Sequence, residues 1–200
     1  MRAGLAFAVL LASIPMASAG VSMNPQSAPK GTYAIDPHHT TVTFCIRHMG
    51  ISSYCGRFAT ATGKIVFNGS QPERSSATVE LYTAGIDTPN SKLNEELKKS
   101  FFEVDKFPTA SFKTTAIALT GKATGDITGN LTLHGVTRPV TLHTTFNGGT
   151  QHPLANAYAI GFSASTKIDI NQFGFPDVDW RIFVGDEVTL DIEAEFIAEK

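Results

Sequence analysis

The chain has 200 residues, 42% of them hydrophobic, with 16 Lys and Arg against 18 Asp and Glu. So even a balance, with no basic run, excludes the clustered cations that a phosphate backbone demands, and no nucleic-acid partner is expected. Fourteen phenylalanines, beside one tryptophan and two cysteines, are the most informative feature of the composition.

Residues 1–19 read as an export peptide: Met1-Arg2 is a short basic start, Ala3 to Ile14 an apolar run, and Ala17-Ser18-Ala19 an A-x-A cleavage signal. About a dozen apolar residues fall short of the roughly twenty that cross a hydrocarbon core, which disfavours a membrane anchor. The remainder is expected to be periplasmic or secreted. Residues 20–31, with Pro25, Pro29 and several small polar residues, read as a flexible leader, and residues 32–200 as one domain.

From Tyr33 onwards apolar and polar residues alternate, the period of a strand with one buried face. Val42, Phe44, Ile46 and His48 share one face, and Thr43, Cys45 and Arg47 the other. Ala77, Val79 and Leu81 likewise oppose Thr78, Glu80 and Tyr82. The segment Lys92 to Lys99 reads as the one helix, with Ser91 as its cap, Glu95 and Glu96 near its start and Lys98 and Lys99 near its end. Further on, Ile127, Leu131 and Leu133 face away from Thr128, Asn130, Thr132 and His134, and Val140, Leu142 and Phe146 away from Thr141, His143 and Thr145. Val188, Leu190, Ile192, Ala194 and Phe196 complete the series. Weaker runs at 56–68, 109–119 and 156–168 bring the total to about eight strands, joined by short turns such as Gly121-Lys122. Such strands pair antiparallel and close into a barrel that holds one small ligand. A two-sheet sandwich is the alternative, because periodicity does not reveal closure.

In an exported chain, Cys45 and Cys55 are candidates for a disulfide, which would stabilise the fold by about 3 kcal/mol in the chain-entropy model. Two separately buried thiols are the alternative. His38 and His39 point oppositely along a strand, and His134 and His143 lie on polar faces, a pattern of surface histidines without metal-ligand spacing. No metal site is expected. His48, on the apolar face, is either a hydrogen-bonded core residue or a polar contact for a ligand head. There is no G-x-S-x-G elbow, phosphate-cradling loop or paired-carboxylate motif, so no catalytic residue is assigned. Asp177, Asp179 and Asp186, near Arg181, read as a solvated loop. That loop also carries Phe173, Phe175, Trp180 and Phe183, an apolar load suited to covering a barrel mouth.

The run Gly129-Asn130-Leu131-Thr132-Leu133-His134-Gly135-Val136-Thr137-Arg138-Pro139-Val140-Thr141-Leu142 resembles the G-x-LTLHGVT-x-PV-x-L signature of YceI-like domains. Ahead of it stand Tyr33-x-Ile35-Asp36-Pro37-x-His39-Thr40 and Gly56-x-Phe58. Phe173-Gly174 and Val184-Gly185-Asp186-Glu187-Val188 follow. Glu96-Leu97 replaces the acidic residue and His-Leu common in that family, and Gln172 stands where Arg often precedes Phe-Gly.

The resemblance implies an all-β fold: an extended eight-stranded antiparallel, lipocalin-like β-barrel with one short helical insertion. It also implies an elongated apolar cavity that binds a polyisoprenoid or isoprenoid quinone and no enzymatic activity. Alone, each phenylalanine reads as ordinary core. With the resemblance, Phe44, Phe58, Phe67, Phe101 and Phe102 become candidate lining residues, as do Phe107, Phe112, Phe146, Phe162 and Phe173. Ile46, His48, Leu131, Leu133 and Trp180 join them. The partner expected is an apolar lipid, with room for a transient membrane contact and a homodimer. A non-catalytic partner of a membrane electron-transfer or stress-response system is the alternative function.

Overall fold

The computed structural model describes residues 20–199. Eleven β stretches form one antiparallel sheet: β1 Gly31–Ile35, β2 Thr41–His48, β3 Ser52–Phe58, β4 Ala61–Phe67, β5 Ser76–Tyr82, β6 Ile86–Asp87, β7 Thr109–Leu119, β8 Thr124–Leu133, β9 Val136–His152, β10 Ala157–Asp169 and β11 Val184–Ala198. Three staves are each broken in two. Between β1 and β2, the Asp36 carboxylate accepts the His38 N–H at 2.9 Å and Pro37 has no N–H to give, so the ladder stops for one corner. β3 breaks into β4 at Ala59-Thr60, and a 3-10 turn, Thr83–Gly85, separates β5 from β6.

Counted as staves, these stretches make a closed eight-stranded barrel. The seam is β11, which pairs with β10 on one side and on the other with β2 above (Leu190 opposite Phe44) and β1 below (Ala198 opposite Tyr33). Closure leaves the main ladder without an open edge, which decides for the barrel over the sandwich.

The helical insertion between β6 and β7 starts one residue earlier than the sequence suggests. Asn90, not Ser91, is the cap: its side chain accepts the N–H groups of Lys92 and Leu93 at 3.1 and 3.3 Å. The helix α1, Ser91–Glu96, then widens into a π-helical turn, Leu97–Phe101, that buries Leu97 and Phe101 against the barrel end. The insertion, the β2–β3 hairpin, the β8–β9 turn and the β10–β11 loop all lie at one end, called the upper end below.

The stretch 20–31 is not free. Ser22 and Gly149 exchange two backbone hydrogen bonds at 2.9 Å, Pro25 and Ala28 are buried, and the Tyr33 hydroxyl donates to the Pro29 carbonyl at 2.6 Å. Proline and small residues, which read as a linker in isolation, here fit where glycine leaves room: a Cβ on Gly69 would stand 1.9 Å from the Pro25 carbonyl oxygen. The export peptide expected over residues 1–19 lies outside the described residues. Among those described, no helix is long and apolar enough to cross a membrane.

Cys45 and Cys55 face each other directly in the β2–β3 register, with Cα atoms 4.1 Å apart, and are bonded. By the alternation that turns Phe44 and Ile46 inward, the bridge lies on the outer wall.

Candidate functional site

The inner face of β2 presents Val42, Phe44, Ile46 and His48, and the hairpin places Tyr54 and Phe58 of β3 beside them. Leu131 and Leu133 of β8, Ile168 of β10, and Val188 and Leu190 of β11 supply further wall. Phe101 and Phe102 from the insertion, with Phe175 and Trp180 from the β10–β11 loop, form a roof. Together they bound a cavity of about 430 Å³, within the range of roughly 300–1,000 Å³ typical of small-molecule sites.

Wall and roof are tied by ring contacts. Phe44 meets Phe58 at 5.6 Å, Phe58 meets Phe102 at 5.7 Å, and Phe101 stacks on Phe175 at 4.3 Å and tilts against Trp180 at 5.1 Å. Arg181 fixes the far side of the roof loop. Its guanidinium donates to the carbonyls of Val184 and Gly185 at 3.2 and 3.1 Å and to Asn171 at 3.1 Å, and it pairs with Asp186. That hydrogen bond from Arg181, helped by Asn171, holds the Asp186 carboxyl below the ordinary carboxylate range. Asp186 is thus an anchor of the loop.

His134 overturns the expectation of a surface histidine. It is buried, with φ at 50°, which breaks the strand alternation and swings the ring over the upper barrel end. The ring lies between Phe107, at 4.1 Å, and Phe175, at 4.8 Å. Its Nδ1 donates to the Gly174 carbonyl at 3.0 Å, and its Nε2 lies 2.9 Å from the Glu103 carboxylate. Gly135 follows with φ at 73°, where a Cβ would stand 2.7 Å from the Phe107 ring. The His-Gly pair therefore latches insertion and roof loop to the β8–β9 turn.

The lining holds no Lys, Arg, Asp or Glu. Its polar groups are few, and two stand out: the Tyr54 hydroxyl and the Trp180 indole nitrogen are buried with no hydrogen-bond partner in the protein. Leaving such a donor unpaired costs about 1–3 kcal/mol, so both suit an acceptor brought by a ligand.

Of the candidates from the sequence, Phe44, Ile46, His48, Phe58 and Leu131 line this cavity, and so do Leu133, Phe101, Phe102 and Trp180. Six do not. Phe67, Phe146 and Phe162 pack against one another in the lower half, with Phe67 stacked on Phe146 at 5.8 Å and Phe162 meeting Phe146 at 5.4 Å. Phe173 is core beneath the loop, 2% exposed. Phe107 packs outside on His134, and the Phe112 ring is turned over Gly129. Period-two alternation assigns a face and says nothing of height along the stave, which is what separates Phe67, Phe146 and Phe162, whereas Phe107 and Phe173 lie off the staves altogether. Tyr54 and Phe175 were missed as lining residues; pairing Tyr54 with Ile46 across the three-residue loop Met49-Gly50-Ile51 would have found the first.

Outside the cavity, at the β1–β2 corner, ligand-type atoms of Asp36, His39 and Glu195 lie within 4.8 Å of one another, a grouping absent from the sequence expectations. Burial opposes the charge on Asp36, but hydrogen bonds from His39, at 2.8 Å, and from the His38 N–H outweigh it and hold the carboxyl below its usual range. The same bond raises the His39 imidazole.

The YceI-like domain family matches residues 33–196, the whole barrel from the seam of β1 to that of β11. The chain belongs to the YceI-like family. Relatives named UPF0312 protein are 37% identical over 167 residues in Pseudomonas savastanoi pv. phaseolicola, covering 82% of this chain and 85% of that one, and 34% identical over 197 residues in Pseudomonas putida W619, covering 97% of each. Among solved structures, a Campylobacter jejuni YceI protein has 26% identity and a TM-score of 0.67 over 77% of this chain and 90% of that one. Burkholderia cenocepacia BcnA, at 22% identity and a TM-score of 0.72, covers 80% of this chain and 98% of its own. A polyisoprenoid binding domain from Saccharophagus degradans, at 15% and 0.64, covers 84% and 98%. These last two share the fold.

Proposed function

We propose that this YceI-like protein is a non-catalytic, exported carrier that holds the tail of a polyisoprenoid lipid in the upper cavity, with an isoprenoid quinone as the preferred ligand. The observation that carries the reading is the uncharged cavity of about 430 Å³ with two unpaired buried donors. Each buried CH₂ contributes about 0.8 kcal/mol, so a five-carbon isoprene unit adds roughly 3 kcal/mol before ordering costs. A phosphate head would enter without a cation to meet it, at a cost of several kcal/mol. A quinone carbonyl is neutral and accepts from Tyr54 or Trp180. The description of the Saccharophagus degradans domain as polyisoprenoid binding supports the same ligand class. The Cys45–Cys55 bridge supports an oxidising compartment such as the periplasm.

The test is organic extraction of the natively purified protein followed by mass spectrometry, and a titration of delipidated protein with a short-chain prenylated quinone read by quenching of Trp180. The expected outcome is a co-purifying prenyl lipid and saturable quenching. Ala110→Trp, which fills the cavity from β7, abolishes uptake, and Trp180→Ala speeds release when read with the quinone's own absorbance. Delipidated protein that takes up neither a prenylated quinone nor a polyprenyl phosphate overturns the reading.

A further inference from the structure

Two loops meet at the upper rim of the cavity. One is the tip of the β2–β3 hairpin, Met49-Gly50-Ile51, and the other is the 3-10 turn Asp179–Phe183 that leads into β11. They are joined by a backbone hydrogen bond from Met49 N–H to the Phe183 carbonyl at 2.7 Å. Their apolar side chains point to water: Ile182 is 83% exposed, Ile51 80%, Met49 61% and Phe183 48%. Four large apolar side chains on two bonded neighbouring loops form a contiguous patch of the kind that monomers rarely leave uncovered without a function.

Local chemistry argues that these residues are not there to make the turn. Met49 and Gly50 have φ of 50° and 72°, and the Ile51 N–H bonds back to the His48 carbonyl at 3.1 Å, so the three-residue tip turns through two successive left-handed positions, the first of which favours Asn or Asp. A methionine at the first left-handed position works against that preference, so its side chain answers to something outside the turn. The patch is also continuous with the cavity. Phe183 and its neighbour Val184 line the cavity, while Phe183 and Ile182 face solvent. Arg47 adds a cation at the base of the tip, its guanidinium braced on the Gly50 carbonyl at 2.6 Å, whereas Asp179 in the turn carries the opposite charge.

We propose that this rim docks reversibly on a lipid bilayer, inserting Met49, Ile51, Ile182 and Phe183 so that an apolar ligand passes between membrane and cavity without crossing water. The occupant is a lipid surface because the patch opens into an uncharged cavity; a protein partner would cover the mouth without using that continuity. With Arg47 and Asp179 of opposite sign at the rim, attachment is driven by the apolar side chains and depends little on anionic lipid. The transfer role rests on the proposed lipid-carrier reading, and the docking itself does not.

The test is co-flotation of the purified protein with phosphatidylcholine vesicles, with and without phosphatidylglycerol, comparing wild type with the double variant Ile51→Asp and Ile182→Asp. These positions are exposed and outside the lining, so the fold and quinone binding delivered in detergent are retained. Vesicle partitioning of the variant falls by about tenfold or more, and quinone extraction from vesicles slows while uptake from detergent is unchanged. The milder Ile51→Ser variant gives an intermediate loss. Wild-type protein that stays off vesicles, equal flotation of wild type and variant, or a wild-type dimer that the variant merely splits, overturns the docking proposal. Failure of uptake from detergent in wild type instead counts against the carrier reading and leaves the docking result to stand alone.

Discussion

The upper and lower halves of this barrel are built from the same staves and much the same residue types, yet one encloses a cavity and the other is solid. In the upper half Phe44, Phe58, Phe101 and Phe102 stand around a void, each touching its neighbour along the wall or roof. In the lower half Phe67, Phe146, Phe162 and Phe196 meet across the axis and Tyr33, 1% exposed, closes against Phe67 at 6.2 Å, leaving a gap of only about 70 Å³. An inward aromatic is therefore not in itself a ligand contact. What decides is whether the facing stave brings another ring to the same height or whether an inserted segment holds the end open.

That contrast is open to direct attack. The largest effect is expected from Phe67→Ala: it removes a ring packed on several sides and lowers unfolding free energy by about 3–5 kcal/mol, measured by urea denaturation. Phe44→Ala, whose ring already faces empty space, costs about 1–2 kcal/mol and weakens quinone binding instead. Equal stability losses at the two positions would dissolve the distinction. Next in size, reduction of Cys45–Cys55 is expected to cost about 3 kcal/mol in the chain-entropy model. Because the bridge staples the upper hairpin, amide exchange should accelerate first in β2 and β3, with β9 and β10 in the lower half protected longest. The smallest effect is confined to alkaline pH. Burial, with the nearby Tyr158, pushes the Tyr33 phenol from 10.0 up to about 12. The folded chain thus keeps a proton that the unfolded chain gives up. The stability this represents is complete below pH 10 and is lost as pH rises from 10 to 12. Tyr33→Phe should flatten that decline in a pH series of denaturation midpoints.

Much of this architecture could be read from the residues. Alternation identified the inner faces, including the row Val42, Phe44, Ile46 and His48, and short connections implied antiparallel pairing. The YceI-like signature around Leu131-Thr132-Leu133-His134 pointed to the family. What stayed hidden depends on contacts distant in sequence. The height of Phe67 and Phe146 relative to the cavity follows from stave register, which no single strand contains. The burial of His134 follows from one left-handed residue and from the Gly174 carbonyl, 40 residues away. Asp36 and Glu195 meet only because β1 closes on β11. Asn90 displaced Ser91 as helix cap because either side chain satisfies the free N–H groups, and backbone geometry chose between them.

The aromatic plug below the cavity gives the container a blind end. A chain-like guest must go in tail first and back out by the same door, head group last in and first out. The depth from rim to plug then acts as a ruler: tails that are too short leave emptiness behind them, and tails that are too long trail into water. Selection among prenyl homologues would thus be set by how far up the barrel Phe67 and its stacked neighbours reach.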